Sequence, residues 1–284
     1  MNKLQYFLFF LVFHVCFVVK AYIPSSRMIL DKIVENALKT PLYVEQEVHL
    51  TSSQASVFLK EQWLFENENS FRLIVRGEKD LQDLIQFQIQ FNDNQRSSSM
   101  SGSMQVSRLT HPLFEKIFFI KNTENLMRFL TQNEIVGNEI FNSQNFKKIP
   151  GNNGFQYQPE NFLRLGRLGG RLSYVFGPTP KDEKLTPGFW VEQDLFNILK
   201  IRNSQGEEFR LEKLVAFNRG ARWSKEMQFS WGAPLATAQI QALTVRTADT
   251  NLRQTFQKKL ERRSHDFEKH AGKNLIEEFY SRFR

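Results

Sequence analysis

The alternation of apolar and polar positions changes period several times along the chain. After an apolar N-terminal run, Ser25-Ser26 offers a helix cap. Ile29/Leu30, Ile33/Val34 and Ala37/Leu38 then recur at helical spacing, predicting one amphipathic helix that stops before Pro41. From Tyr43 the period becomes two. Val44, Val48 and Leu50 share a face, as do Val57, Leu59, Trp63 and Phe65 in the next segment, where Glu61 is the polar exception. Phe71, Leu73 and Val75 oppose Arg72 and Arg76, and Ile85, Phe87, Ile89 and Phe91 alternate with glutamines. Four strands with short connections predict an antiparallel meander with one solvated face.

The serine-rich stretch 96–108 reads as flexible or as a polar edge strand. Helical spacing returns after Pro112 with Leu113, Phe114, Ile117 and Phe118, and Thr123 is expected to cap a second helix carrying Leu126, Met127, Phe129 and Leu130. Residues 142–160, rich in Asn, Gln, Gly and Pro, read as a loop. Strands are expected again at 171–176, 188–194, 198–202, 208–217, 223–231 and 235–245, with a turn at Asn203-Ser204-Gln205-Gly206. From Thr250 the chain reads as charged helix, ending in an amphipathic piece with Leu275, Ile276, Phe279, Tyr280 and Phe283. The sum is mostly β with helices (α+β): one strongly bent antiparallel sheet with helices on its concave side. A membrane barrel is the competing all-β arrangement. The mid-chain helices, the charged tail and the lack of a terminal aromatic residue argue against it.

The first segment carries Lys3, the apolar run Leu4 to Val19 and Val19-Lys20-Ala21 as a cleavage signal, so residues 1–21 read as an export signal peptide. An uncleaved anchor is the competing reading. Lipidation at Cys16 is disfavoured by the bulk of Val15 before it. Residues 22–249 then form the main domain and 250–284 a charged helical tail. Cleavage removes the only cysteine, leaving no disulfide, thiol nucleophile or thiolate metal site. The net charge of +8 favours an anionic membrane surface over nucleic acid as a partner, since no nucleic-acid-binding motif is present. Phenylalanine occurs 28 times in 284 residues, which suggests a large apolar interior or ligand surface.

Three stretches carry a family resemblance: Val44-Glu45-Gln46-Glu47-Val48, then Leu59-Lys60-Glu61-Gln62-Trp63-Leu64 followed by Phe71-Arg72-Leu73, and finally Pro187-Gly188-Phe189-Trp190-Val191-Glu192-Gln193-Asp194. With the order of elements over about residues 26–246, they resemble the periplasmic outer-membrane lipoprotein carriers, the Lol-type (LolA/LolB-like) lipoprotein-sorting family. That resemblance implies an unclosed antiparallel half-barrel with a helical lid over an apolar cavity, a periplasmic location, and a role in carrying lipidated or hydrophobic cargo. The best-known carriers have an Arg-Pro pair at the end of the second strand that helps hold the lid shut; here the matching residues are Glu66 and Asn67.

A carrier of acyl chains needs a broad apolar surface under a movable cover, since each buried methylene contributes roughly 0.8 kcal/mol. The inward candidates are Trp63, Phe65, Phe71, Leu73, Phe87, Ile89 and Phe91. The lid candidates are Phe114, Ile117, Phe118, Leu126 and Phe129. The same residues would also serve as the filling of a dry core. Glu61 is expected to be a paired structural charge, with Arg72 or Arg76 within reach across a hairpin. Arg164, Arg167 and Arg171 read as a solvated strand face rather than as a headgroup site. Catalysis is not expected: the histidines are scattered, no nucleophile elbow or phosphate loop is present, and Gly166-Arg167-Leu168-Gly169-Gly170 lacks the spacing of one. No cofactor or metal is expected. The functional reading is a monomeric, non-enzymatic carrier for acyl chains of lipoproteins or other lipids. The alternative is an envelope interaction protein holding a protein partner or membrane face.

Overall fold

The computed structural model describes residues 23–284 apart from 94, 102–103, 109–112, 138–139, 142–145, 149–154, 158–162, 178–185, 218–221, 233–234 and 258–261. The expected signal peptide and Pro112 lie outside the described residues. The strands are β1 (Leu42–Thr51), β2 (Ser56–Phe65), β3 (Ser70–Gly77), β4 (Ile85–Asn92), β5 (Gln95–Ser98), β6 (Gln105–Arg108), β7 (Phe146–Lys148) and β8 (Phe155–Tyr157), then β9 (Leu163–Leu168), β10 (Arg171–Phe176), β11 (Gly188–Glu192), β12 (Ile198–Arg202), β13 (Glu208–Ala216), β14 (Arg222–Trp231), β15 (Ala236–Thr247) and β16 (Arg262–Arg263). The helices are α1 (Ser26–Glu35), α2 (Thr123–Gln132), α3 (Thr250–Thr255), α4 (His265–Glu268) and α5 (Lys273–Phe283), with a 3-10 segment at Phe114–Phe119.

Fourteen strands form one unclosed sheet in the order β6-β5-β4-β3-β2-β1-β15-β14-β13-β12-β11-β10-β9, with β16 beside β4. Every pairing is antiparallel, so two meanders meet where β1 lies against β15, with Val48 opposite Ile240. Alternation places one side chain in two on the inner face, and these form a single apolar cluster running from Val44 and Trp63 to Phe209, Phe229 and Ile240. The turn 203–206 is as the sequence predicts, Gly206 taking φ +78°.

The covering elements depart from the sequence pattern in instructive ways. Helix α1 ends at Glu35, short of Ala37 and Leu38, because the Asn36 amide caps it on the Ile33 and Val34 carbonyls and the Leu38 amide turns to Phe118 O at 2.8 Å. Residues after Leu113 form a 3-10 turn rather than an α-helix, aligning Phe114, Ile117 and Ile120 three apart. Asn122, not Thr123, caps α2 by accepting from the Asn125 amide, which frees the Thr123 hydroxyl to donate to Asp31 of α1 at 2.5 Å. The region read as a loop, 142–160, contains the paired strands β7 and β8.

The tail wraps from one face of the sheet to the other. On the outer face, Tyr43, Leu64 and Ile74 form a small apolar patch covered by Phe256, with Leu252 of α3 packed on it. Strand β5 pairs only with Ile89–Asn92 of β4, so the start of β4 is open on that side, and β16 pairs there with Ile85 and Gln86. The chain then continues through α4 into α5, whose Leu275, Ile276, Phe279, Tyr280 and Phe283 all belong to the inner cluster.

Leu243 and Ile240 lie on opposite faces of β15, one 42% exposed and the other 2%. Ile240→Ala is expected to lower the unfolding free energy by about 2–5 kcal/mol and Leu243→Ala by under about 0.5 kcal/mol, as read by urea denaturation.

Candidate functional site

The expected apolar residues form a register grid on the inner face of β2, β3 and β4. Phe65, Phe71 and Phe91 make one row, Trp63, Leu73 and Ile89 the next, and Glu61, Val75 and Phe87 the third. All are buried. The lid residues reach the same cluster: Phe114, Ile117, Leu126 and Phe129 are buried, while Phe118 is partly exposed. Sequence reasoning missed Phe119, whose ring stacks on Phe65 at 4.5 Å, and the opposing wall of Phe209, Trp223, Phe229 and Trp231. Phe114 bridges to that wall, 5.9 Å from Phe209 and 6.0 Å from Phe229.

Helix α5 lies between the grid and the wall. Tyr280 meets Phe87 edge-on at 5.0 Å, and Phe279 and Phe283 lie 5.5 and 5.3 Å from Trp231. Its end brings the Arg284 guanidinium, wholly buried, between carboxylates of two different elements. Arg284 Nε lies 3.3 Å from Glu61 Oε1 of β2 and its NH1 2.8 Å from Glu115 Oε1 of the 3-10 segment. The rings of Trp63, Phe229 and Phe279 surround it at 5.2, 4.8 and 5.0 Å. Glu61 Oε2 also accepts from Gln46 Nε2 at 2.7 Å and Trp63 Nε1 at 2.8 Å.

Glu61 is therefore a paired structural charge, but its partner is neither Arg72 nor Arg76. Glu61 faces Val75 across the β2–β3 pair, whereas Arg76 faces Lys60 and Arg72 faces Leu64, all on the outer side. Strand parity rules out the expected pairing. Arg72 instead approaches Glu66 at 3.5 Å. Of the other arginines, Arg167 and Arg171 are exposed and Arg164 partly buried on the β9–β10 hairpin, with Arg171 3.9 Å from Glu192.

Burial pushes the Glu115 carboxyl up to about 7, against the opposing pull of Arg284. Burial also raises the Tyr280 phenol well above its usual range, with Glu61 adding to it. Arg96 is lowered by burial to about 10; its NH2 donates to Tyr280 O at 2.9 Å and its Nε to the Arg284 main-chain oxygen.

A groove of about 250 Å³ lies at the other end of the cover. Ile33, Ala37, Leu38, Ile117, Phe118 and Trp223 contribute to its lining, with Phe196, Ile198 and Leu214 from the opposite bank. Ile33, Ile117, Ile198 and Trp223 also belong to the inner cluster, so the groove floor is continuous with the core. Arg222 stands at its rim, exposed and with no ion-pair or hydrogen-bond partner among the described residues. No group of metal-ligating side chains occurs among the described residues, and none of their helices is long and apolar enough to cross a membrane.

The chain's structural neighbours are LolA-superfamily and lipoprotein-sorting proteins. A LolA superfamily protein from Nitrosomonas europaea aligns with 80% of this chain and 95% of its own, at 13% identity and a TM-score of 0.47. An outer membrane lipoprotein-sorting protein domain from Vibrio parahaemolyticus aligns with 82% and 98%, at 10% identity and a TM-score of 0.46. A DUF1329 family protein from Desulfovibrio piger aligns with 79% and 92%, at 9% identity and a TM-score of 0.46. No protein-family model and no curated sequence matches the chain.

The buried cluster gives a pH expectation. Below about pH 4.5 Glu115 is neutral folded or unfolded. As pH rises toward about 7 the unfolded state gains the freedom to ionise while the folded state resists it, so the stability supplied by neutral Glu115 is lost across that window. Melting temperatures of the wild type and Glu115→Gln, measured from about pH 5 to about pH 8, should diverge with rising pH, the wild type falling further. Parallel curves would contradict the assignment.

Proposed function

We propose that the protein is an exported, non-catalytic carrier for acyl-chain cargo, such as the lipid chains of lipoproteins or other amphipathic lipids. The observation that carries this reading is the groove beside the 3-10 segment: a largely apolar lining, also including Asn36, Asn197 and Ser224, whose floor belongs to the core, with Arg222 at its rim and without a partner among the described residues. An acyl chain recovers hydrophobic free energy in proportion to its buried length, while a carboxylate or phosphate at its end meets the guanidinium. At about 250 Å³ the groove is smaller than the roughly 300–1,000 Å³ typical of drug-sized ligand sites, which suits one chain rather than two or three.

The grid residues Trp63, Phe65, Phe71, Leu73, Phe87, Ile89 and Phe91 are the deeper apolar surface in this reading, and Phe114, Ile117, Phe118, Leu126 and Phe129 its cover. The export signal expected at residues 1–21, together with the Lol-type resemblance, supports a periplasmic location. The alternative, an envelope protein that binds another protein, draws support from α5, which fills much of the concave face.

Titration with a fluorescent polyene fatty acid tests the carrier reading. The wild type should bind one equivalent tightly. Ala37→Trp, which places an indole in the groove, should weaken binding by at least about tenfold, a loss of about 1.4 kcal/mol. Arg222→Ala should weaken binding of the acid more than that of its methyl ester. Absence of binding, or binding unaffected by Ala37→Trp, contradicts the groove as the cargo site.

A further inference from the structure

We propose that α5 is a displaceable occupant of the concave face: a built-in competitor that cargo expels in order to reach the surface between the β2–β4 grid and the β13–β15 wall. The inference rests on the acyl-chain reading above and adds its regulation. Three observations support it.

First, α5 covers the same residues that a deeper ligand would need. Phe279, Tyr280 and Phe283 contact Phe87, Phe229 and Trp231, and Arg284 lies over the Trp63 ring. Second, α5 is a separate cover rather than part of the sheet. The tail reaches it through β16, which adds two residues to the open side of β4, and through the one-turn α4. Its flanks are fastened by side-chain contacts: Trp231 Nε1 donates to Glu278 at 3.0 Å, Arg282 pairs with Glu207 at 2.5 Å, and Arg263 with Glu277 at 2.8 Å.

Third, the inner end of the helix is poorly matched to a permanent core. Among the described residues seven buried side-chain polar atoms lack a hydrogen bond, and five of them meet here: Gln46 Oε1, both oxygens of Glu115, the Tyr280 hydroxyl and one Arg284 nitrogen. Arg284 pairs with Glu115 at 2.8 Å, yet burial still raises the Glu115 carboxyl to about 7. Buried charges and polar atoms left this way cost more than the apolar packing they replace. The helix is thus held by large aromatic contacts and weakened by its own polar end, as a competitor that must leave requires.

Two full-length variants move the equilibrium in opposite directions. Phe279→Ala removes an aromatic anchor and loosens α5. The combined variant Glu61→Gln, Glu115→Gln, Arg284→Met removes the buried charges together and seats it more firmly. With the same fatty acid probe, the wild type should take one equivalent tightly and a second weakly. The second should bind about tenfold tighter in Phe279→Ala and about tenfold weaker in the charge-free variant, because apparent affinity scales with the fraction of molecules whose site is open. In the wild type, amide hydrogen exchange across residues 273–283 should rise as the second equivalent binds.

A second equivalent unaffected by either variant, with α5 protection unchanged, overturns the proposal while leaving the groove reading intact. Loss of the first equivalent as well in every form would instead indicate failure of the acyl-chain reading. Release of α5 by a synthetic peptide of residues 273–284 but not by the fatty acid would assign the surface to a helical partner and also overturn the proposal.

Discussion

The placement of one guanidinium inside an aromatic cavity governs the arrangement around it. Arg284 is fully buried and faces carboxylates from the sheet and from the cover, Glu61 and Glu115. Removing three ionisable groups from water is costly, and their mutual attraction recovers that cost only where the remaining hydrogen bonds are made. On the sheet side they are: Gln46 and Trp63 both donate to Glu61. On the cover side they are not, since both Glu115 oxygens lack a hydrogen bond and burial raises the carboxyl to about 7. The cluster therefore joins α5 to both β2 and the 3-10 segment, with the carboxylate fully hydrogen-bonded on the sheet side alone.

This asymmetry matters because an unclosed sheet cannot leave its concave face wet. The inner side chains of eleven neighbouring strands, from β4 through β1 and β15 to β9, form one apolar surface, and burying each large side chain contributes roughly 1.5–3 kcal/mol. Three kinds of cover meet that need: the α1–α2 pair, tied by Arg27–Glu124 and Thr123–Asp31, the 3-10 segment, and α5. Each is a short piece joined to the sheet by a connecting segment. A face covered by short, separately attached pieces is suited to a ligand that must enter and leave, and the groove beside Arg222 is where the α1 end and the 3-10 segment stand off from the sheet.

Much of this was legible in the sequence, because period-two alternation reports a strand face directly. Every residue of the β2–β4 grid, including Glu61 as a buried charge, follows from parity. The partner of Glu61 does not: Arg284 is 223 positions away, and nothing local distinguishes it from the other basic residues of the tail. The path of the tail was equally hidden. It depends on β5 pairing with only half of β4, a consequence of strand length rather than of any motif. The cover elements were misjudged where hydrogen bonds overrode periodicity, as when the Leu38 amide left the helical pattern for the Phe118 carbonyl. Trp223 and Phe229 alternate cleanly and were readable as one strand face, but that they oppose the grid across the concavity is a property of the curved sheet.

The central claim is that this fold carries an acyl chain. It is tested most directly by native mass spectrometry of the protein, isolated without detergent, followed by extraction and identification of what it holds. The account predicts a population heavier than the bare chain by one acylated molecule, and loss of that population in Ala37→Trp. A bare mass in every preparation, under conditions that preserve lipid on a known carrier, would contradict it.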